Sequence, residues 1–208
     1  TVFDDFHGNW EFDRSKPNFV GGYIVSSGHN TALPIGYRPV PSGTPAWGKE
    51  WKAATAKYYQ QAMSITTRSG VLPNRYNFLD LDTSYKNAFG QPLMRLTFDF
   101  KDNEHKMGQH GADIINQMIA AMNPQKSSKA SGARRNWAFT PYQSTHNTGG
   151  TIMGTSPANS AVNKYQQSWD CSNLFLVGAN VFVHNSAYQP TGLVGAMAYW
   201  TCLLYTSD

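Results

Sequence analysis

Thr145-His146-Asn147-Thr148-Gly149-Gly150-Thr151-Ile152-Met153-Gly154, then Asn173-Leu174-Phe175-Leu176-Val177-Gly178-Ala179-Asn180, then Gln189-Pro190-Thr191-Gly192, are the pieces around which the chain is organised. Residues 173–177 form a short apolar run that stops at a glycine. That is the pattern of a fully buried strand ending where backbone must approach something closely, and a ligand is one candidate. Pro190 stands where a helix would begin, since its φ is fixed and its missing N–H is no loss in a first turn. The small residues after it, Gly192, Gly195, Ala196 and Ala198, let such a helix pack tightly. A helix N-terminus is a positive pole with free N–H groups, so an electron-rich ligand edge is suited to dock there.

Outward from this stretch, the 208 residues are 40% hydrophobic, enough for a normal core in one or two domains. The high aromatic content fits a carbohydrate-stacking surface and fits a core of large side chains equally well. No apolar run approaches the roughly 20 residues of a bilayer-spanning helix. The net charge is +4, and its densest cluster, Lys126, Lys129, Arg134 and Arg135, lies in a Ser/Gly/Ala-rich stretch without interleaved aromatics. That composition reads as a solvated loop, and nucleic-acid binding is not expected. His105 and His110 are five apart, which misses the i, i+4 spacing of two ligands on one helical face, so no metal site is expected.

In chain order, residues 1–17 show no clear periodicity and read as irregular. Residues 19–27 are β-rich but broken by Gly21-Gly22, which predicts a strand with a bulge or a close contact. Pro34, Pro39, Pro41 and Pro45, with Gly36 and Gly43 among them, predict a long surface loop. Trp47, Trp51, Ala54, Tyr58 and Ala62 recur at helical spacing, and such an aromatic stripe reads as core. Residues 76–81 and 93–100 read as strands joined by a Gly90/Pro92 loop. In the second, Met94, Leu96, Phe98 and Phe100 alternate with Arg95, Thr97 and Asp99, which predicts a half-buried antiparallel strand. Asp102 or Asn103 is placed to cap a helix carrying Met107, Ile114, Ile115, Met118, Ile119 and Met122, stopped by Pro124. Residues 126–135 read as a flexible connector.

His146, Gly149 three positions on, Met153-Gly154, the run from Asn173 to Ala179, and Gln189-Pro190-Thr191 resemble, in this order, the C-terminal segment of the glucose-methanol-choline family of flavin oxidoreductases. Each piece alone is weak, but the ordered set is specific. The wording is most similar to the sugar and polyol dehydrogenase branch, which includes gluconate, fructose and sorbitol dehydrogenase flavoprotein subunits. The resemblance covers most of the chain, more loosely before Val71. It implies an α+β fold: an antiparallel sheet with helices forming a substrate domain over residues 1–135, with the proline-rich loop bordering the substrate entrance. Residues 136–201 then complete an FAD-binding domain and carry the catalytic segment. No G-x-G-x-x-G fingerprint occurs anywhere, so the N-terminal Rossmann half of that domain is expected to be absent.

The reaction the resemblance implies is oxidation of a C–OH group on a sugar, polyol or aldonate, with FAD as cofactor. His146 is the candidate base, and an imidazole suits that task because its ordinary pKa lies near working pH. Family members pair this histidine with an asparagine or histidine directly before Pro-Thr. Gln189 stands there instead, keeping the amide but adding a methylene. Asn147 and His184 are nearby alternatives for the helper role, with His184 read as a loop residue at the pocket edge. By resemblance, Asn147, Gly178, Ala179, Asn180, Pro190 and Thr191 bind the cofactor. Gly178, Ala179 and Asn180 are expected against the ribityl or pyrophosphate region, and Pro190-Thr191 at the flavin pyrimidine edge.

The implied partners are a quinone or cytochrome electron acceptor and a small subunit, and the implied location is periplasmic. Two other readings stand beside the dehydrogenase: a carbohydrate-binding or interaction module that has lost catalysis, and an oxidase of the same family using oxygen. Thr1 reads as an internal start. Residues 202–208, Cys-Leu-Leu-Tyr-Thr-Ser-Asp, read like a translated sequencing adapter and are expected to be foreign to the natural protein, leaving Cys171 as its one cysteine.

Overall fold

The computed structural model describes residues 2–5, 18–28, 40–59, 61–132, 136–138 and 146–206. Residues 29–39 of the proline-rich loop, Arg134 and Arg135 of the basic cluster, and Thr145 lie outside that set. The described chain is α+β, with five strands, three α-helices and one 3-10 turn. It forms two compact units, Thr1–Ser69 with Asp102–Arg134, and Gly70–Lys101 with Arg135–Asp208.

In the first unit, β1 (Val2–Asp5), β2 (Tyr23–Gly28) and β3 (Ser64–Ser69) form an antiparallel sheet with β2 in the centre. Gly21 adopts φ 91°, turning the chain into β2 just after it, so the Gly21-Gly22 interruption marks the start of the strand. β1 and β3 are departures from expectation. Neither carries a strong apolar alternation, and each is a strand because it pairs with apolar β2.

α1 (Gly48–Tyr58) follows the predicted helical spacing. Its aromatic stripe is not core, however: Trp47 sits at the N-cap, 83% exposed, and α1 has no buried residue.

α2 (Asp102–Met122) packs on β3 and β2 through Met107, Gly111, Ala112 and Ile115. A Cβ at Gly111 would stand 2.9 Å from Thr67 Cγ2, so glycine is what lets helix and sheet approach. Phe19, Tyr23, Val25 and Met107 form the buried cluster, each stabilising by about 1.5–3 kcal/mol through removal from water. The Tyr23 hydroxyl keeps a partner inside, Nδ1 of His110 at 2.7 Å. Asn103 holds the helix start to the chain before β2, accepting from Val20 N–H at 2.8 Å and donating to its carbonyl at 3.0 Å. Asn123, at φ 45°, ends the helix, its N–H returning to the Ile119 carbonyl at 3.1 Å.

In the second unit, β4 (Phe78–Lys86) and β5 (Pro92–Thr97) form an antiparallel ribbon in which Asp80 opposes Arg95. The antiparallel pairing is as expected, but all six β5 residues are exposed, so the half-buried expectation fails. Alternation encodes a two-faced strand without saying what covers either face. After it, Phe98 packs edge-on against Phe100 and Trp137. The unit closes with a 3-10 turn (Ala179–Val181) and α3 (Thr191–Thr206).

Residues 173–177 are not a fully buried strand. They pair on one side only, with Leu176 N–H donating to Gln166 and Ser168 N–H to Leu174, both at 2.9 Å, and Leu174 and Val177 are exposed.

Candidate active site

The site is built on a clasp between the glycine-rich segment and the 3-10 turn. Gly149 N–H donates to the Ala179 carbonyl (3.1 Å), Thr151 N–H to Asn180 (3.1 Å) and Met153 N–H to Val181 (2.9 Å). An extended segment presents every second N–H to one side, while a tight turn offers successive carbonyls, so the two match. Asn180 adds a side-chain bond, its Nδ2 donating to Thr151 Oγ1 at 2.6 Å. Its carboxamide nitrogen is therefore engaged inside the chain.

Gly178 enters the turn at φ 142°, and a Cβ there would lie 2.6 Å from Asn180 Oδ1, so only glycine makes this entry. Gly149 and Gly150 adopt φ 83° and 106°, which swings the backbone round between His146 and the clasp.

His146 is half-buried and Asn147 exposed. The His146 carbonyl accepts a 2.7 Å bond from Asn185 Nδ2. His184, beside Asn185, is exposed. Gln189 is exposed directly before Pro190, which occupies the N-cap of α3, its carbonyl accepting Val194 N–H at 2.9 Å. Thr191 is the first helical residue. No acidic residue lies in the first turn of α3, so the helix itself does nothing to offset its positive pole.

Of the residues singled out from the sequence, Gly178, Ala179 and Asn180 are thus joined to the segment that follows His146 and Asn147. Gln189, Pro190 and Thr191 follow Asn185, which holds the His146 carbonyl. Sequence reading missed Thr151 and Asn185. Their bonds span 29 and 39 positions and leave no local pattern to find.

A family model described as GMC oxidoreductase matches residues 73–198. The chain belongs to the GMC oxidoreductase family. This GMC chain is 42% identical over 202 residues to the gluconate 2-dehydrogenase flavoprotein of Pantoea cypripedii, covering 97% of the chain and 33% of that protein. It is 30% identical over 151 residues to the fructose dehydrogenase large subunit of Gluconobacter japonicus, covering 73% of the chain and 26% of that protein. It is 26% identical over 152 residues to the 2-methyl-1,2-propanediol dehydrogenase of Mycolicibacterium austroafricanum, with the same coverages, 73% and 26%. The GMC chain therefore spans a quarter to a third of the length of these relatives. Among its described residues no group of three or more His, Cys, Asp or Glu could hold a metal ion. Among them, too, no helix is long and apolar enough to cross a membrane. Cys171 and Cys202 are exposed free thiols.

Proposed function

We propose that this chain is the C-terminal part of an FAD-dependent dehydrogenase that oxidises the C–OH group of a sugar, polyol or aldonate. In this reading the Rossmann half that holds the ADP moiety is a separate, N-terminal part of the same polypeptide. The observation that carries it is the clasp of residues 149–153 on Ala179–Val181, which gathers the segment after His146 and the Gly178 turn into one unit. The similarity to dehydrogenases over most of the chain supports the same reading.

The residues present fit a flavin. Thr191 and Gly192 open α3 with backbone N–H groups that helix geometry leaves without intrahelical partners, in a first turn that carries no acidic residue of its own. A Cβ at Gly192 or Gly195 would meet no atom within 4 Å, so the helix has room beside its small residues for a planar group. Gly178 and Ala179 would bring backbone to the ribityl or pyrophosphate region of the same ligand. When bound, FAD supplies the ring that accepts hydride.

His146 would take the substrate hydroxyl proton on a ring nitrogen, since an imidazole can both accept and release a proton. The Gln189 amide donates to the substrate oxygen and orients it. In this reading the enzyme's electron acceptor is a quinone or a cytochrome subunit. The exposed Gln189, in place of the asparagine or histidine of the family pattern, favours the binding-module reading as the alternative.

Expression of the full-length gene and absorption spectra before and after gluconate, fructose, glucose and sorbitol test the proposal. Bleaching of a flavin band by one of them is expected. A colourless protein, or a flavin band that none of them bleaches, favours the module.

A further inference from the structure

We infer that Asn185 is a positioning residue for His146, and this rests on the reading of His146 as the base. Asn185 spends all four of its polar groups on different tasks. Its backbone pairs with Val71 in both directions, Val71 N–H to the Asn185 carbonyl at 2.9 Å and Asn185 N–H to the Val71 carbonyl at 3.2 Å. Its side-chain Oδ1 accepts Ala187 N–H at 3.2 Å. Its Nδ2 donates to the His146 carbonyl at 2.7 Å.

These bonds meet where the backbone is least free. Ala187 is buried and adopts φ 70°, a conformation that L-residues with a Cβ occupy only when surrounding structure holds them there. The Oδ1 bond holds that turn, and the turn leads through Tyr188 to Gln189 and the start of α3. The Nδ2 bond fixes the peptide plane that follows the His146 Cα, and so restricts the direction of its Cα–Cβ bond. The Val71 pairing anchors the whole to the segment entering the β4–β5 ribbon. One side chain therefore sets the His146 backbone against the turn that carries Gln189. A glutamine or leucine would fill the place without making both side-chain bonds, and a misplaced base loses rate steeply.

The two side-chain bonds separate by substitution. Asn185→Ser retains an oxygen that accepts Ala187 N–H in a Ser-type turn but is too short to reach the His146 carbonyl. Asn185→Asp also keeps the acceptor, and sets an oxygen against that carbonyl where a donor stood. Asn185→Ala removes both bonds.

The experiment uses the full-length, FAD-loaded enzyme with 13C-labelled histidine, the His146 ring signal being identified by its loss in His146→Ala. Ser and Asp are expected to lower kcat by about ten- to a hundredfold with a smaller change in KM, and to shift or broaden the His146 signal at normal flavin content. Ala is expected to lose thermal stability as well. An unmoved His146 signal in both Ser and Asp, with kcat unchanged, overturns the inference. Should His146→Ala itself turn over normally, the base assignment fails, and the ring signal alone still decides whether Asn185 positions the residue.

Discussion

Gln189 keeps the amide of the family's asparagine and moves it out by one methylene, at an exposed position directly before the N-cap of α3. If that amide donates to the substrate oxygen, Gln189→Ala lowers kcat/KM about tenfold, the worth of one hydrogen bond of about 1.4 kcal/mol. An unchanged value in steady-state assays removes Gln189 from the site. His146→Ala is expected to lose at least about a hundredfold in turnover while the purified protein keeps its flavin spectrum, because general-base catalysis typically supplies that much. Normal turnover in that variant would sink the base assignment. His146 was singled out because its neighbours form an ordered pattern with fixed spacing. Asn185 was not, because its work is a bond across 39 positions, and nothing in His184-Asn185-Ser186 announces a partner so far away. Gln166 was hidden for the same reason, a fully buried amide at φ 63° inside a run of polar residues.

At the scale of elements, Gln166 is what fixes α3 to the rest of its unit. Its Nε2 donates to the Met197 carbonyl and the Thr201 hydroxyl, both at 2.7 Å, while the Thr201 hydroxyl also reaches the Tyr165 carbonyl at 3.2 Å. Gln166→Ala removes a donor to both groups, leaving the Met197 carbonyl the Thr201 hydroxyl, and hydrogen exchange of amides 197–201 should speed up about ten- to a hundredfold. Unchanged exchange would mean that Tyr165, stacked on Trp200 and bonded to Thr201, holds the helix without Gln166. In the ribbon, the Arg95 side chain opposite Asp80 holds that carboxyl below the usual range. Asp82 is lowered by accepting the Tyr85 and Ser84 N–H groups. Carboxyls depressed in the folded state contribute fully above their ordinary range, and that contribution is lost as pH falls through the lower folded values. Protection of the Ser84 and Tyr85 amides should therefore fall as pH drops below the ordinary carboxylate value of 3.8, and Asp82→Asn should flatten the dependence. A pH-independent protection in the parent protein would contradict this. Helical and strand periodicities were readable for α1, α2 and the ribbon, since each is a local repeat. What covers a face is a property of its neighbours, so the exposure of Trp47 and of β5 was not.

For the molecule as a whole, the exposed faces say what this chain requires. α3 is apolar on all sides, with Leu193, Tyr199 and Trp200 exposed, and a helix of that kind belongs in an interior. The ribbon shows Leu81 and Met94 at 64% and 71% exposure, on strands whose alternation calls for cover. The relatives are three to four times longer than the matched region, so in the proposed reading the rest of a longer polypeptide would cover these surfaces. The chain expressed alone is therefore expected to self-associate, to bind a hydrophobic dye, and to purify colourless even with excess FAD, because in the proposed site the helix pole and the Gly178 turn would hold only one end of the ligand. Joined to the rest of its polypeptide, the same residues should give a monodisperse yellow protein. Size-exclusion chromatography with in-line absorbance separates the outcomes. A monomeric, stoichiometric flavin complex of the 208 residues alone would show that the cofactor is held by contacts the proposed architecture does not contain.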